Sequence, residues 1–208
     1  MEKSKENCEG CPFLTDVERI HDYVPGEHSS PGAEKIKVLI LAEAPAKDER
    51  AAGRPLAPAG TSGKRFREQM KRSGLEEVPH YIANAVMCTN LERVPRARMG
   101  LKTHNPPDEA YHYCRPKWRE LVRKYQPEVV FLLGESAGKA VSLDGKEKRS
   151  FAEWRKLFNF GKEIRLPEGP RIILTHHPNR LTYQTRGNEV WQEFESDFDL
   201  VCKLVKRN

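Results

Sequence analysis

Four short apolar runs, rich in β-branched residues, recur along the chain: 36–42 (IKVLILA), 81–86 (YIANAV), 128–133 (EVVFLL, closed by Gly134) and 171–175 (RIILT). Runs this short and this continuous fit strands buried on both faces of a parallel sheet. Between them the pattern turns helical. Residues 61–73 open on Thr61-Ser62-Gly63 and continue as KRFREQMKR. Residues 107–125 start at the Pro106-Pro107 pair, with Asp108 and Glu109 in the first turn, where acids suit the helix dipole. Residues 135–142 follow the third run, and 188–205 place Val190, Phe194, Phe198, Val201 and Leu204 on one face. Strands alternating with helices predict an α/β fold whose parallel sheet is covered on both sides.

In such sheets ligands bind outside the carboxyl ends of the strands. The residues that follow each run therefore matter most: Glu43-Ala44-Pro45, Asn84 to Cys88, Gly134-Glu135-Ser136 and His176-His177-Pro178. The longest stretch without periodicity is 89–107, rich in Arg, Pro and Gly. A loop of that length inside a compact domain is usually functional.

With 208 residues, 38% of them hydrophobic and 32% charged, the chain suits one globular domain over 1–208, with 1–35 as a partly irregular lead-in. It contains no apolar run long enough to span a membrane. The polar start MEKSKENCEGC is not a secretory signal, so a cytoplasmic monomer is expected. The formal net charge of +6 favours an anionic partner, of which nucleic acid is the commonest.

Five cysteines in a chain without a signal favour metal ligation or free thiols over disulfides. Cys8 and Cys11 have the CxxC spacing of a metal or cluster half-site, and Cys88 and Cys114 can complete a set of four thiolates. Such a set holds either an iron–sulfur cluster or a zinc ion. Cys202 falls near the apolar face of the last helix and reads as packing. His177, just past a buried strand, can reach the crevice or face solvent as an ordinary loop histidine. Asn84 in an apolar strand either bonds a neighbouring loop or reads a base edge, since a carboxamide both donates and accepts. Arg180 and Leu181 are expected to project from a loop tip as a basic residue beside an apolar wedge, the pairing that insertion into a base stack requires.

Taken together, LAEAPAKDERAAGRPLAPAG, YIANAVMC, CRP after a proline-containing loop, VVFLLGESA and HHPNRL resemble the family-four and family-five uracil-DNA glycosylases. The resemblance runs in the family's order from Cys8 to about Leu181. It implies a three-layer α/β/α sandwich with a central four-stranded parallel sheet, and DNA as the partner. It implies a structural [4Fe–4S] cluster on Cys8, Cys11, Cys88 and Cys114, which pins the N-terminal segment and the long loop. Glu43, Ala44, Pro45 and Ala46 would shape the base pocket with Glu49 and Leu56. Asn84 would read the base edge, and His177 would stabilise charge on the departing base. Asn179, Arg180 and Leu181 would fall in the loop that fills the gap in the duplex.

The chain departs from that pattern in three places. Ala42-Glu43-Ala44-Pro45-Ala46 stands for the family's Gly-Glu-Ala-Pro-Gly. Leu56 stands where a phenylalanine would stack on the extruded base, an interaction worth about 1–3 kcal/mol. The stretch between Cys88 and Cys114 is longer and carries Arg96, Arg98, Lys102 and His104, suited to extra DNA contacts or a lid. His104 lies in the region, though not cleanly at the position, where one branch of the superfamily has a histidine that bonds the abasic sugar.

The implied reaction is hydrolysis of an N-glycosidic bond in a flipped-out nucleotide, with Glu43, Asp48 or Glu49 orienting the water and no lysine acting as nucleophile. The substrate would be uracil or a larger modified pyrimidine, such as a hydroxymethylated or glucosylated base in phage DNA, which would give an antiviral role. A non-catalytic, metal-stabilised nucleic-acid-binding module is the alternative of another class.

Overall fold

A computed structural model describes residues 11, 23–88, 106, 108–141, 150–160, 166, 169–183 and 188–206. Four parallel strands form where the apolar runs lie: β2 (Val38–Ala42), β3 (His80–Asn84), β4 (Val129–Leu133) and β5 (Arg171–Thr175). A two-residue strand, β1 (Glu27–His28), adds an antiparallel edge to β3, so the sheet is five-stranded with the order β1-β3-β2-β4-β5. The lead-in thus contributes a strand that its mixed composition did not suggest. Two residues carry no period to read.

Alternation along each strand sends side chains to two separate cores. Val38, Ile40, Val129, Phe131, Leu133 and Ile173 meet Phe66 and Met70 of α2 (Thr61–Ser73) and Phe194, Phe198 and Val201 of α6 (Glu189–Val205). Leu39, Leu41, Val130, Leu132 and Leu174 meet Trp118, Leu121 and Val122 of α3 (Asp108–Tyr125) and Ala137 and Val141 of α4 (Glu135–Val141). Trp154 of α5 (Phe151–Arg155) and Phe158 close that second layer. Helices on both faces make the three-layer sandwich and explain why the strands read as continuous apolar runs. Phe198 is the centre of the first core, with ring centroids 4.9 Å from Phe131, 4.9 Å from Phe194 and 5.8 Å from Phe66.

Two more elements, besides β1 and α5, were not expected from the sequence. α1 (Lys47–Ala52) is a short, largely exposed KDERAA helix. After α5 the chain widens into one π-helical turn, Lys156–Phe160. That turn has a definite task. The Asn159 carboxamide accepts from the Leu174 N–H at 2.8 Å and donates to the Leu174 carbonyl at 2.9 Å, so one side chain satisfies the outer edge of β5 as a further strand would.

The topology sets the position of the site. From β2 the chain crosses through α1 and α2 to β3 on one side, then through α3 to β4 on the other side of β2. The winding reverses beside β2, and a crevice opens at the carboxyl ends of β2 and β4.

Candidate active site

Two adjoining chambers occupy that crevice. The first, about 440 Å³, lies between the end of β2, α1 and the N-terminus of α2. Its wall includes Glu43, Ala44, Pro45, Ala46, Glu49, Leu56, His177 and Asn179, together with Lys47 and Pro106. The second, about 310 Å³, is bounded by Ser136, Phe151, His176 and Arg180 and shares Glu43, His177 and Asn179 with the first.

The wall of the first chamber is held by main-chain bonds. The Glu49 carboxylate accepts from the Ala46 N–H at 2.6 Å and, through its other oxygen, from the Leu56 N–H. One acid thus caps α1 and ties the 55–57 loop across it. Burial raises the Glu49 pKa, and the two backbone donors oppose the rise. Leu56 adopts φ 48°, a left-handed conformation that a branched side chain keeps only under constraint. The constraint is Arg67, which donates to the carbonyls of Leu56 (3.3 Å) and Pro55 (3.2 Å) while paired through two nitrogens with Glu27 of β1. Behind the loop, a Cβ on Gly63 would stand 2.0 Å from the Ala57 carbonyl oxygen, so only glycine lets α2 approach this closely.

Glu43 stands between the chambers. The Ser136 hydroxyl donates to its carboxylate at 2.7 Å, and burial raises its pKa against that bond and the Lys139 charge. Sequence reasoning placed Ser136 at the crevice without a role. Its partner lies 93 residues away along the chain, which no local pattern reports.

His177 packs on Gly134, whose φ is 88° and where a Cβ would fall 2.7 Å from the His177 Cβ. The Asn179 N–H donates to His177 Nδ1 at 3.2 Å, so the neutral ring carries its proton on Nε2. Burial pushes the pKa of His177 down to about 4. At neutral pH the ring is therefore an uncharged donor.

Asn84, at the end of β3, is 1% exposed and paired in register with Ala42, which lines the first chamber. Its carboxamide stands beside Glu49 and helps keep that acid ionised. Yet neither amide atom reaches hydrogen-bonding geometry with any described residue. A buried amide left unsatisfied costs about 1–3 kcal/mol.

One expectation is corrected. Leu181 does not project from a loop tip. The segment Pro178–Tyr183 is a 3-10 helix, and Leu181 is 1% exposed in the core built around Phe198. An apolar residue next to a covered core face gains more by burial than by exposure. Asn179 and Arg180 remain exposed at the rim, the Arg180 guanidinium 5.8 Å from the Phe151 ring.

Cys11 and Cys114 are buried in one small cluster with Ala85, Val86, Ala110 and Tyr111. Cys88 is half-buried two residues beyond Val86 and bridges to Tyr23 through the backbone. None of these is in a disulfide. Among the described residues no three His, Cys, Asp or Glu side chains stand close enough to hold a single metal ion. Thiol chemistry and a shared apolar enclosure nonetheless fit a thiolate-bound group completed by a further cysteine. Cys8, Arg96, Arg98, Lys102 and His104 lie outside the described residues. Cys202 packs against α2, its thiol 3.4 Å from the Ser73 carbonyl.

Fold and site together define a doubly wound α/β enzyme whose polar groups converge at the switch point of the sheet. The family model described as "Uracil DNA glycosylase superfamily" matches residues 30–198, and the chain belongs to that superfamily. A protein of Archaeoglobus fulgidus named "Type-4 uracil-DNA glycosylase" is 27% identical over 188 residues, covering 88% of this chain and 82% of the relative. A protein of the same name from Pyrobaculum aerophilum is 31% identical over 140 residues, 65% of this chain and 60% of the relative.

Proposed function

We propose that the chain is a monofunctional DNA glycosylase that hydrolyses the N-glycosidic bond of an extruded uracil or larger pyrimidine, leaving an abasic site. The observation that supports this reading is the placement of two groups at the carboxyl edge of the sheet, after β3 and after β5. One is a neutral imidazole, His177, which opens on both chambers. The other is the unsatisfied Asn84 carboxamide behind the wall of the first.

Extrusion of a nucleotide costs a few kcal/mol, which a pocket that reads the freed base edge offsets. As the bond breaks, the base gains negative charge and the sugar gains positive charge. A preplaced, uncharged N–H at His177 stabilises the base oxygen without a competing proton transfer. The Asn84 amide supplies the donor and acceptor that a pyrimidine edge lacks once it leaves its partner. Glu43, oriented by Ser136, faces both chambers and is the acid best placed to hold the attacking water. Glu49 is committed to two backbone donors and shapes the pocket instead. Asn179 and Arg180 hold the strand at the rim by phosphate contacts. The protein would work as a monomer in the cytoplasm. No helix among the described residues is long and apolar enough to cross a membrane.

Cys8, Cys11, Cys88 and Cys114 would hold a [4Fe–4S] cluster, with zinc as the alternative. When bound it would supply a structural cross-link between the N-terminal segment and α3. Visible absorbance of anaerobically purified protein, with iron and zinc analysis, separates the two.

The second chamber favours the larger-base reading. It adjoins the first at Glu43 and His177, and Leu56 leaves the first chamber without a phenylalanine face. A hydroxymethylated or glucosylated pyrimidine would use that extra space, and such a substrate would make the enzyme a defence against phage DNA. The test is single-turnover base release from duplexes that each carry one altered base, with mass analysis of the freed base. Release of uracil alone selects the repair role, and release of a substituted pyrimidine selects the second reading. DNA binding without any abasic product would overturn both. Because Lys47 lines the first chamber, borohydride trapping belongs in the same assay: a covalent adduct would overturn the monofunctional assignment.

A further inference from the structure

Behind His177 lies a buried set of charges that base excision itself does not use. His176 is 4% exposed, and its Nε2 lies 2.5 Å from the Glu193 carboxylate of α6. The other oxygen of Glu193 accepts from Arg155 of α5 at 2.7 Å. Arg155 also makes a two-point contact with Asp197, at 3.0 and 2.8 Å. Asp197 accepts in turn from Asn159 at 2.9 Å, the residue that closes the edge of β5. The Phe151 ring lies against the His176 ring, with centroids 4.6 Å apart. The second nitrogen of His176, Nδ1, is buried with no hydrogen-bond partner among the described residues. A proton there would be a buried donor with nowhere to go, so His176 is neutral and gives its one N–H, from Nε2, to Glu193.

We propose that His176 is the positioning residue for His177: its bond to the Arg155-braced Glu193 fixes the turn that sets the His177 ring on Gly134 with Nε2–H toward the cleft. The two histidines are adjacent in sequence, so anchoring one limits the other to the two backbone torsions between them and its own side-chain torsions. Among the described residues, the only hydrogen bond to the His177 side chain is from the Asn179 N–H at Nδ1. Without the Glu193 bond, the turn between β5 and the 3-10 helix keeps its backbone bonds and the apolar contacts of Phe151 and Leu181, but loses the directional bond that holds the His176 ring. A donor displaced by about 1 Å from its place costs on the order of a hundredfold in rate.

The inference rests on the reading of His177 as a donor, and its test includes a readout that needs no substrate. His176→Phe keeps an aromatic ring against Phe151 and removes the N–H, whereas His176→Gln keeps an N–H at similar reach of Glu193. Imidazole 15N spectra of the free proteins are expected to give one sharp Nε2–H tautomer for His177 in the wild type and H176Q, and mixed or broadened signals in H176F. Single-turnover base release is expected to fall about tenfold to a hundredfold in H176F with affinity for abasic DNA within about twofold, and to return to within about threefold in H176Q. Wild-type His177 signals in H176F overturn the proposal, as does an equal defect in both variants that tracks their loss of thermal stability. If the wild type releases no base at all, the function reading fails while the spectra still decide this one.

Discussion

The two walls of the cleft are built by opposite means. On the β2 side, Glu49, Leu56, Arg67 and Gly63 hold a loop through main-chain bonds and a glycine contact, and each contacting pair lies within 12 residues in sequence; the Arg67–Glu27 pair, 40 apart, is the exception. On the β5 side, the turn with His177 depends on side chains from α5, the π-helical turn and α6, separated by up to 42 residues. The first wall is a loop whose backbone groups are bonded directly by two side chains, Glu49 and Arg67. The second is a network of a neutral His176, a partly exposed Glu193 and the buried Arg155 and Asp197, stable only while its charged members are paired.

The sharpest way to break the contrast is to remove the central cation. Arg155→Met leaves Glu193 and the 1%-exposed Asp197 uncompensated, and is expected to lower unfolding free energy by about 3–5 kcal/mol in urea melts. A loss below about 1 kcal/mol would mean the β5 wall stands without its charges. Next in size, His177→Ala removes the donor and should lower single-turnover base release by about tenfold to a thousandfold with little change in stability. Unchanged release would take His177 out of the site.

Gly134→Ala introduces a Cβ 2.7 Å from that of His177 at a left-handed φ, with an expected cost of about 1–3 kcal/mol and reduced release. A variant as stable and active as wild type would show that the turn yields freely. Asn84→Ala sharpens the comparison from the other end. Because its amide makes no hydrogen bond with the described residues, stability should stay within about 1 kcal/mol while discrimination between bases is lost. A large loss of stability with discrimination kept would make Asn84 structural.

Smallest is the pH dependence. The folded pKa of His177 is depressed to about 4, so its neutral form persists well below 6.5 and release should show no acid limb near that value. The linked stability is present above about 6.5 and lost as pH falls toward about 4. The raised pKa of Glu43 puts an acid limb above the usual carboxylate range, and Glu43→Gln should remove it. A limb that survives in E43Q would assign it to another group.

Much of this arrangement was legible before any coordinates. Apolar runs of strand length marked β2 to β5, and Glu43, Asn84, Ser136 and His177 stood where strand ends must open on the crevice. α1, α5 and the π-helical turn escaped because each is too short to show an apolar period, and α1 is largely exposed as well. Leu181 was misread for a related reason. Its neighbours in sequence are polar, but its neighbours in space are the phenylalanines of α2 and α6.

Strand and helix periods are local properties of the chain, so hydrophobic spacing alone determined the layers, the parallel sheet and the edge at which chemistry would gather. Which groups are charged there, which nitrogen of His177 carries the proton and what holds it are decided by partners distant along the chain. Burial and pairing act through space, and only the folded packing brings Arg155, Glu193 and His176 to one point.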